Sequence, residues 1–158
     1  QLLEEAVAEL EGRPATVHRE VELRLGMDLQ LPERYVPEAS LRLSFYKRLA
    51  ACDDEQSLSA LLSEMADRFG PPPRQVESLT HAQRVRMAAR RASVVSVSRR
   101  ARKWRLRLDS ATEPPARLAE ALTAWPGAHI NQAGEITLPI ADGADIADLL
   151  RFLENVKN

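Results

Sequence analysis

The sequence predicts an α+β fold, a helical first half packed on a mainly antiparallel sheet of about five strands. Three observations carry it. Up to Arg91 the apolar residues recur mostly every three to four positions, the helical period; from Val94 they recur every second position, the strand period. Gly70 with Pro71 to Pro73, and later Pro126-Gly127, cut the chain into short elements. Helix patterns gather before Arg91 and strand patterns after it, the order expected when helices and strands are segregated along a chain.

Taken in order, Leu2 to Leu10 has a helical pattern ended by Gly12 and Pro14. It is shorter than the ~12–15 residues at which an isolated helix becomes even marginal in water. Residues 1–12 are therefore assigned to the tail of an upstream segment, and residues 13–158 to a single domain. A start at Gln1 without a cap suggests a piece of a longer chain, whereas VKN just after a periodic helix resembles a natural end. Val17, Val21 and Leu23 alternate with His18, Glu20, Glu22 and Arg24, a half-buried strand.

Pro32 and Pro37 bracket an extended connector, because proline fixes φ and disfavours a helical residue before it. The helix after Pro37 carries two apolar stripes, Leu41, Phe45, Leu49 and Cys52 on one and Leu43, Tyr46 and Ala50 on the other. Two stripes predict packing on two sides and a central position. Arg42 lies between them and needs an acidic or carbonyl partner, since an unpaired buried charge is very costly. Asp53 and Gln56 have the spacing of a capping box for the next helix. Its face is Leu58, Leu61, Leu62, Met65 and Phe69, with Gly70 at the C′ position. The prolines then start a helix running to about Arg91, whose thin face of Leu79, Ala82, Val85 and Ala89 predicts close packing.

Val94, Val95 and Val97 form one strand, and Trp104, Leu106 and Leu108 the next, with Arg99 to Arg102 as the hairpin loop. Pro114-Pro115 opens a short helix with Leu118, Ala121 and Leu122. Ala128–Asn131 and Glu135–Leu138 form a second hairpin around Ala133-Gly134. Pro139 marks an edge or a strand end. Asp142 and Asp145 cap a last helix with the face Ile146, Leu149, Leu150 and Leu153.

The 158 residues are 44% hydrophobic and 28% charged, enough for one core. No apolar run approaches the ~18–20 residues of a membrane span, and no secretory signal is visible. With the single Cys52 read as a small core residue, this predicts a cytoplasmic protein, and a monomer, with no membrane partner. His18, His81 and His129 form no ligand-spaced pair, and Cys52 has no CxxC partner. There is no G-x-x-x-x-G-K-[ST] to cradle ATP and no nucleophile elbow. No catalytic, metal or cofactor-binding residue is assigned, no cofactor is expected, and the chain is not expected to be an enzyme by itself.

LPERYVPEASLRLSFYKRLA at 31–50, followed by EMADRFGPPP at 64–73, resembles the C-terminal domain of the bacterial transcription-repair coupling factor. The family signature is approximately LP-x-x-[YF]-[IV]-P-[DE]-x-x-x-RLSFYKR, then an acidic helix ending D-RFG-x-x-P. The match runs from about Thr16 to Arg91; beyond that only the pattern of elements continues. The resemblance implies a regulatory domain of an ATP-dependent DNA translocase that displaces stalled RNA polymerase and recruits UvrA in nucleotide excision repair. It places ATP binding and helicase-family motifs in upstream domains. It also implies that Glu64 and Asp67, the acids before RFG, contact a UvrB-like module of the same protein, holding a closed, autoinhibited state that masks UvrA binding. From the residues alone the pair, at i, i+3 on the side of the helix opposite its apolar face, reads as a solvated face. Acids near a helix C-terminus meet the negative end of the dipole, so helix stability does not account for them.

A second reading comes from charge. Residues 74–107 carry 11 basic side chains and one acidic; the flanks are acidic, 14 acids to 8 bases before and 8 to 3 after. Either this block pairs with its flanks or it offers a positive surface. Lys103, Arg105 and Arg107 share a strand face, with Arg99, Arg100 and Arg102 at its turn. Such a face binds phosphates by counterion release, giving the alternative of a nucleic-acid-binding module using region 84–107 and contacting DNA weakly.

Overall fold

The computed structural model describes residues 20–143 and 145–156. The pattern at Leu2 to Leu10, His18 and the boundary at residue 12 lie outside them. In chain order the elements are β1 Glu22–Arg24, α1 Ala39–Ala50, α2 Glu55–Phe69, α3 Arg74–Arg91, β2 Val94–Arg100, β3 Lys103–Leu108, α4 Leu118–Ala124, β4 His129–Ile130, β5 Glu135–Pro139 and α5 Ile146–Val156. The α+β class holds: five described helices and a five-stranded sheet ordered β1-β2-β3-β5-β4. Every neighbouring pair is antiparallel except β1–β2, whose parallel connection is made by the three helices between them.

Both hairpins form where the turn residues predict them. The first turn is tighter than expected, only Ala101 and Arg102, so Arg99 and Arg100 belong to β2. β5 ends at Pro139, which lacks the N–H to continue the ladder. On β3 the alternation is complete: Trp104, Leu106 and Leu108 are buried, and Lys103, Arg105 and Arg107 are exposed. The sheet therefore has one covered face and one open face.

The core has two clusters that meet at α3. One joins the inner sheet residues Val97, Trp104, Leu106 and Leu138 to Ala82, Val85 and Ala89 of α3, with α4 and α5 closing it. The other joins Val36, Phe45, Leu58 and Met65 to Val76 and Leu79 of α3. Thus α3, not α1, is the central helix. α1 buries only Phe45 fully, and Leu43 of its supposed second stripe is 56% exposed. Of the described first-half helices only α3 contributes to the sheet's core; α1 and α2 belong to the second cluster. Alanines at 82, 88 and 89, with Ala92 just past its end, keep α3 thin enough for neighbours to approach on several sides. Gln83 is fully buried on it, donating to the Cys52 carbonyl at 2.8 Å and accepting from Arg86 at 2.6 Å. Those bonds satisfy both ends of the amide, which is what makes its burial affordable.

Two cap assignments shift. Asp54, not Asp53, caps α2, accepting from the Ser57 amide at 2.7 Å, while Asp53 pairs with Arg90 at 3.0 Å. At α5, Asp145 accepts from the Ala147 amide and Asp148 accepts from the Asp145 amide; Asp142 instead binds Arg102 across from the hairpin turn. The α5 face also includes Phe152 and Val156, both buried.

Candidate inter-domain contact site

The motif residues at 31–50 and 64–73 build one compact corner. Arg42 meets its predicted need with carbonyls, donating to Val36 at 2.8 Å and Pro37 at 2.9 Å, which ties α1 to the connector. The Tyr46 hydroxyl accepts from the Leu31 amide at 2.5 Å. Phe69 packs edge-on to Phe45 at 5.6 Å and tilted to Tyr35 at 5.7 Å. The Tyr35 hydroxyl donates to the Gly70 carbonyl at 2.8 Å, and burial raises its pKa. Gly70 holds φ +87°, a conformation open to glycine at little cost, which turns the chain out of α2 into the prolines. Each of these residues has a structural task within the corner.

The two acids differ. Glu64 sits on the flank of α2, not opposite its apolar face, and lies 38% exposed against α1. Arg48 donates to both its oxygens, Nη1 at 2.5 Å and Nη2 at 2.9 Å, and Arg68 Nη1 is 3.7 Å away. Hydrogen bonding from Arg48, with the charges of Arg48 and Arg68, lowers the Glu64 pKa. Both guanidinium groups also lie over the Phe45 ring, at 5.4 and 5.5 Å, and Arg68 over Phe69 at 5.3 Å. Asp67, one turn on, is exposed and has no hydrogen bond or ion pair among the described residues. The site is thus one clamped carboxylate beside one free carboxylate, with Arg48 and Arg68 around the first. Sequence reasoning missed these arginines; the i, i+4 spacing of Glu64 and Arg68 was the available signal.

The basic residues divide. Arg84 pairs with Glu55 at 2.6 Å, Arg90 with Asp53, and Arg102 with Asp142, so part of the block does neutralise its flanks. Arg99 is exposed but stands on the covered side of β2, its guanidinium 5.6 Å from the Trp104 ring centre. It does not join Arg105. Arg100, Lys103, Arg105 and Arg107 share the open sheet face.

No catalytic constellation forms among the described residues, and no group of three or more His, Cys, Asp or Glu is placed to hold a metal. Cys52 is buried, donates to the Arg48 carbonyl at 3.3 Å, and has its pKa raised by burial, an unreactive thiol. A cleft of about 460 Å³ opens between α4, α5 and the end of β5, walled by Trp125, Pro139, Ile140 and Phe152. Its ionisable residues, Asp148 and Arg151, lie 3.6 Å apart and pair with each other. No described helix is long and apolar enough to cross a membrane.

Residues 25–118, which span this corner and the first hairpin, match the TRCF domain family. The chain belongs to that family. The TRCF domain here is 40% identical over 80 residues to the transcription-repair-coupling factor of Myxococcus xanthus, covering 51% of this chain and 7% of that protein. It is 34% identical over 99 residues to the Escherichia coli K12 factor, covering 60% and 9%. Against the Mycobacterium bovis factor it is 29% identical over 134 residues, covering 83% and 11%. The chain thus spans about a tenth or less of these curated relatives. A solved structure described as the C-terminal domain of transcription-repair coupling factor superposes with a TM-score of 0.72 at 19% identity, covering 90% of this chain and 93% of that one. At that identity the superposition speaks for the fold, and the TRCF domain assignment rests on the sequence match.

Proposed function

We propose that this TRCF domain is a regulatory module that docks through Asp67 and Glu64 onto a UvrB-like module of its parent protein and masks the UvrA-binding surface there. The observation that carries this reading is Asp67: an exposed carboxylate with no partner among the described residues, one turn from a carboxylate whose geometry is already fixed. A carboxylate offers about four lone-pair sites, and Arg48 takes two of those on Glu64. Room remains for a guanidinium from a partner that engages both acids. The aromatic corner beneath them is well packed, so little ordering cost remains to be met on docking. The parent would be an ATP-dependent translocase that displaces stalled RNA polymerase and recruits UvrA, with nucleotide chemistry in other domains.

The test is UvrA binding to the full-length parent, without polymerase, for wild type and Asp67→Ala with Glu64→Ala. Higher UvrA affinity in the double variant supports the mask. Unchanged affinity, with folding confirmed by circular dichroism, would assign the mask to other residues.

A further inference from the structure

The open face of the sheet is a separate feature, on elements other than those carrying Glu64 and Asp67. Strand register places its residues. Arg107 stands opposite Ser96, Arg105 opposite Ser98, and Lys103 opposite Arg100. Arg105 also faces Thr137 on β5, and Arg24 of β1 faces Ser98. Residues i and i+2 of a strand are about 6.6 Å apart, so Lys103, Arg105 and Arg107 form a row of about 13 Å. Hydroxyl groups lie on both sides of it. None of Arg100, Lys103, Arg105 and Arg107 has an ion-pair partner among the described residues, whereas Arg48, Arg68, Arg84, Arg90 and Arg102 all do. Two acids share the face: Glu22 pairs with Arg24 at 3.0 Å, and Glu135, opposite Arg107 in the register, accepts from the neutral Asn131 amide at 3.0 Å and keeps its charge, which leaves the face with a net positive charge.

We propose that this open face binds the phosphate backbone of a duplex nucleic acid, weakly and without sequence preference. Charge complementarity requires an anionic occupant, and the side-chain set selects among anions. Arginine, lysine, serine and threonine side chains are donors that contact phosphates. An acidic protein partner would want buried aromatic or aliphatic anchors at the centre of its interface. The register puts no Phe, Tyr, Trp, Leu, Ile or Met side chain on this face, and its one aromatic ring is the His129 imidazole at the edge, opposite Thr137. A single edge imidazole is a poor platform for a single strand, whose successive bases need stacking surfaces.

The experiment is fluorescence anisotropy of the 158-residue chain with a labelled 20-base-pair DNA duplex, from 50 to 200 mM salt, beside an RNA duplex of equal length. Four phosphate contacts give a slope of log affinity on log salt of about −3.6, a loss of roughly 100-fold over that range. Arg105→Ala with Arg107→Ala should flatten the slope by about two units. Arg105→Lys with Arg107→Lys should retain it, and so should Arg34→Ala with Lys47→Ala, which removes two cations from elsewhere. The tighter duplex names the natural source. The proposal would be overturned by no salt-dependent binding, equal loss in the Arg34/Lys47 control, equal competition by polyglutamate at matched charge, or salt-sensitive self-association of the chain in place of duplex binding. Much tighter binding of a single strand would do the same.

Discussion

Arg48 holds Glu64 with both of its terminal nitrogens, at 2.5 and 2.9 Å, joining the helix of the RLSFYKR motif to the helix of the DRFG motif. The pair makes the two family motifs one structural unit. It also means that Glu64 serves the fold as well as any partner, which separates its expected behaviour from that of Asp67.

Glu64→Ala should therefore lower the denaturation midpoint, because Arg48 and Arg68 lose their shared acceptor while both still lie over Phe45. Asp67→Ala should leave the midpoint within error, since it has no partner among the described residues to lose. Chemical denaturation of the two single variants checks this. Asp67 is consequently the cleaner probe of docking.

Phe45→Ala should cost about 3–5 kcal/mol, the usual range for emptying a buried phenylalanine site. Phe45 is 2% exposed and touches Phe69. Leu43→Ala and Lys47→Ala should each change stability by under about 0.5 kcal/mol, as exposed positions do. A large loss at Leu43 in urea unfolding would restore the two-sided packing of α1.

Gln83→Leu should destabilise by about 1–3 kcal/mol despite its near-equal volume. It leaves the buried Cys52 carbonyl without its donor and removes the acceptor of Arg86. Urea unfolding measures the loss; an unchanged midpoint would mean that water replaces the amide.

Three carboxylates in the helical part have lowered pKa values: Asp54 mainly through the Ser57 amide, Glu55 through Arg84, and Glu64 through Arg48. A depressed acid contributes stability that is present above its unfolded pKa and is lost as pH falls through the folded one. Stability should thus decline on acidification below about pH 4, the ordinary carboxylate range. Glu64→Gln should show a shallower decline than wild type in a pH series of thermal melts.

The sequence showed most of the element order, both hairpins and the motif corner, because apolar period and Gly/Pro punctuation are local signals. It misjudged which helix is central. α1 displays large apolar residues but leaves Leu43 in water, whereas α3 buries alanines, Thr80 and Gln83, side chains that carry little or no hydrophobic signal. Asp53 and Asp54 are adjacent, and only backbone geometry decides which one caps. At the candidate site, the acids were visible as residue types, but the grip of Arg48 on Glu64 depends on how α1 crosses α2. Likewise the sequence groups Arg99 with Arg100, whereas the two-residue turn puts them on opposite faces.

The most direct measurement of the central claim is calorimetric titration of the 158-residue chain into the isolated UvrB-like module, with wild type, Asp67→Ala and Asp67→Lys compared at equal folding. The account predicts saturable binding by wild type, weakened by Asp67→Ala and abolished by Asp67→Lys, which sets a like charge against the partner's arginines. Binding of all three with the same affinity would contradict it.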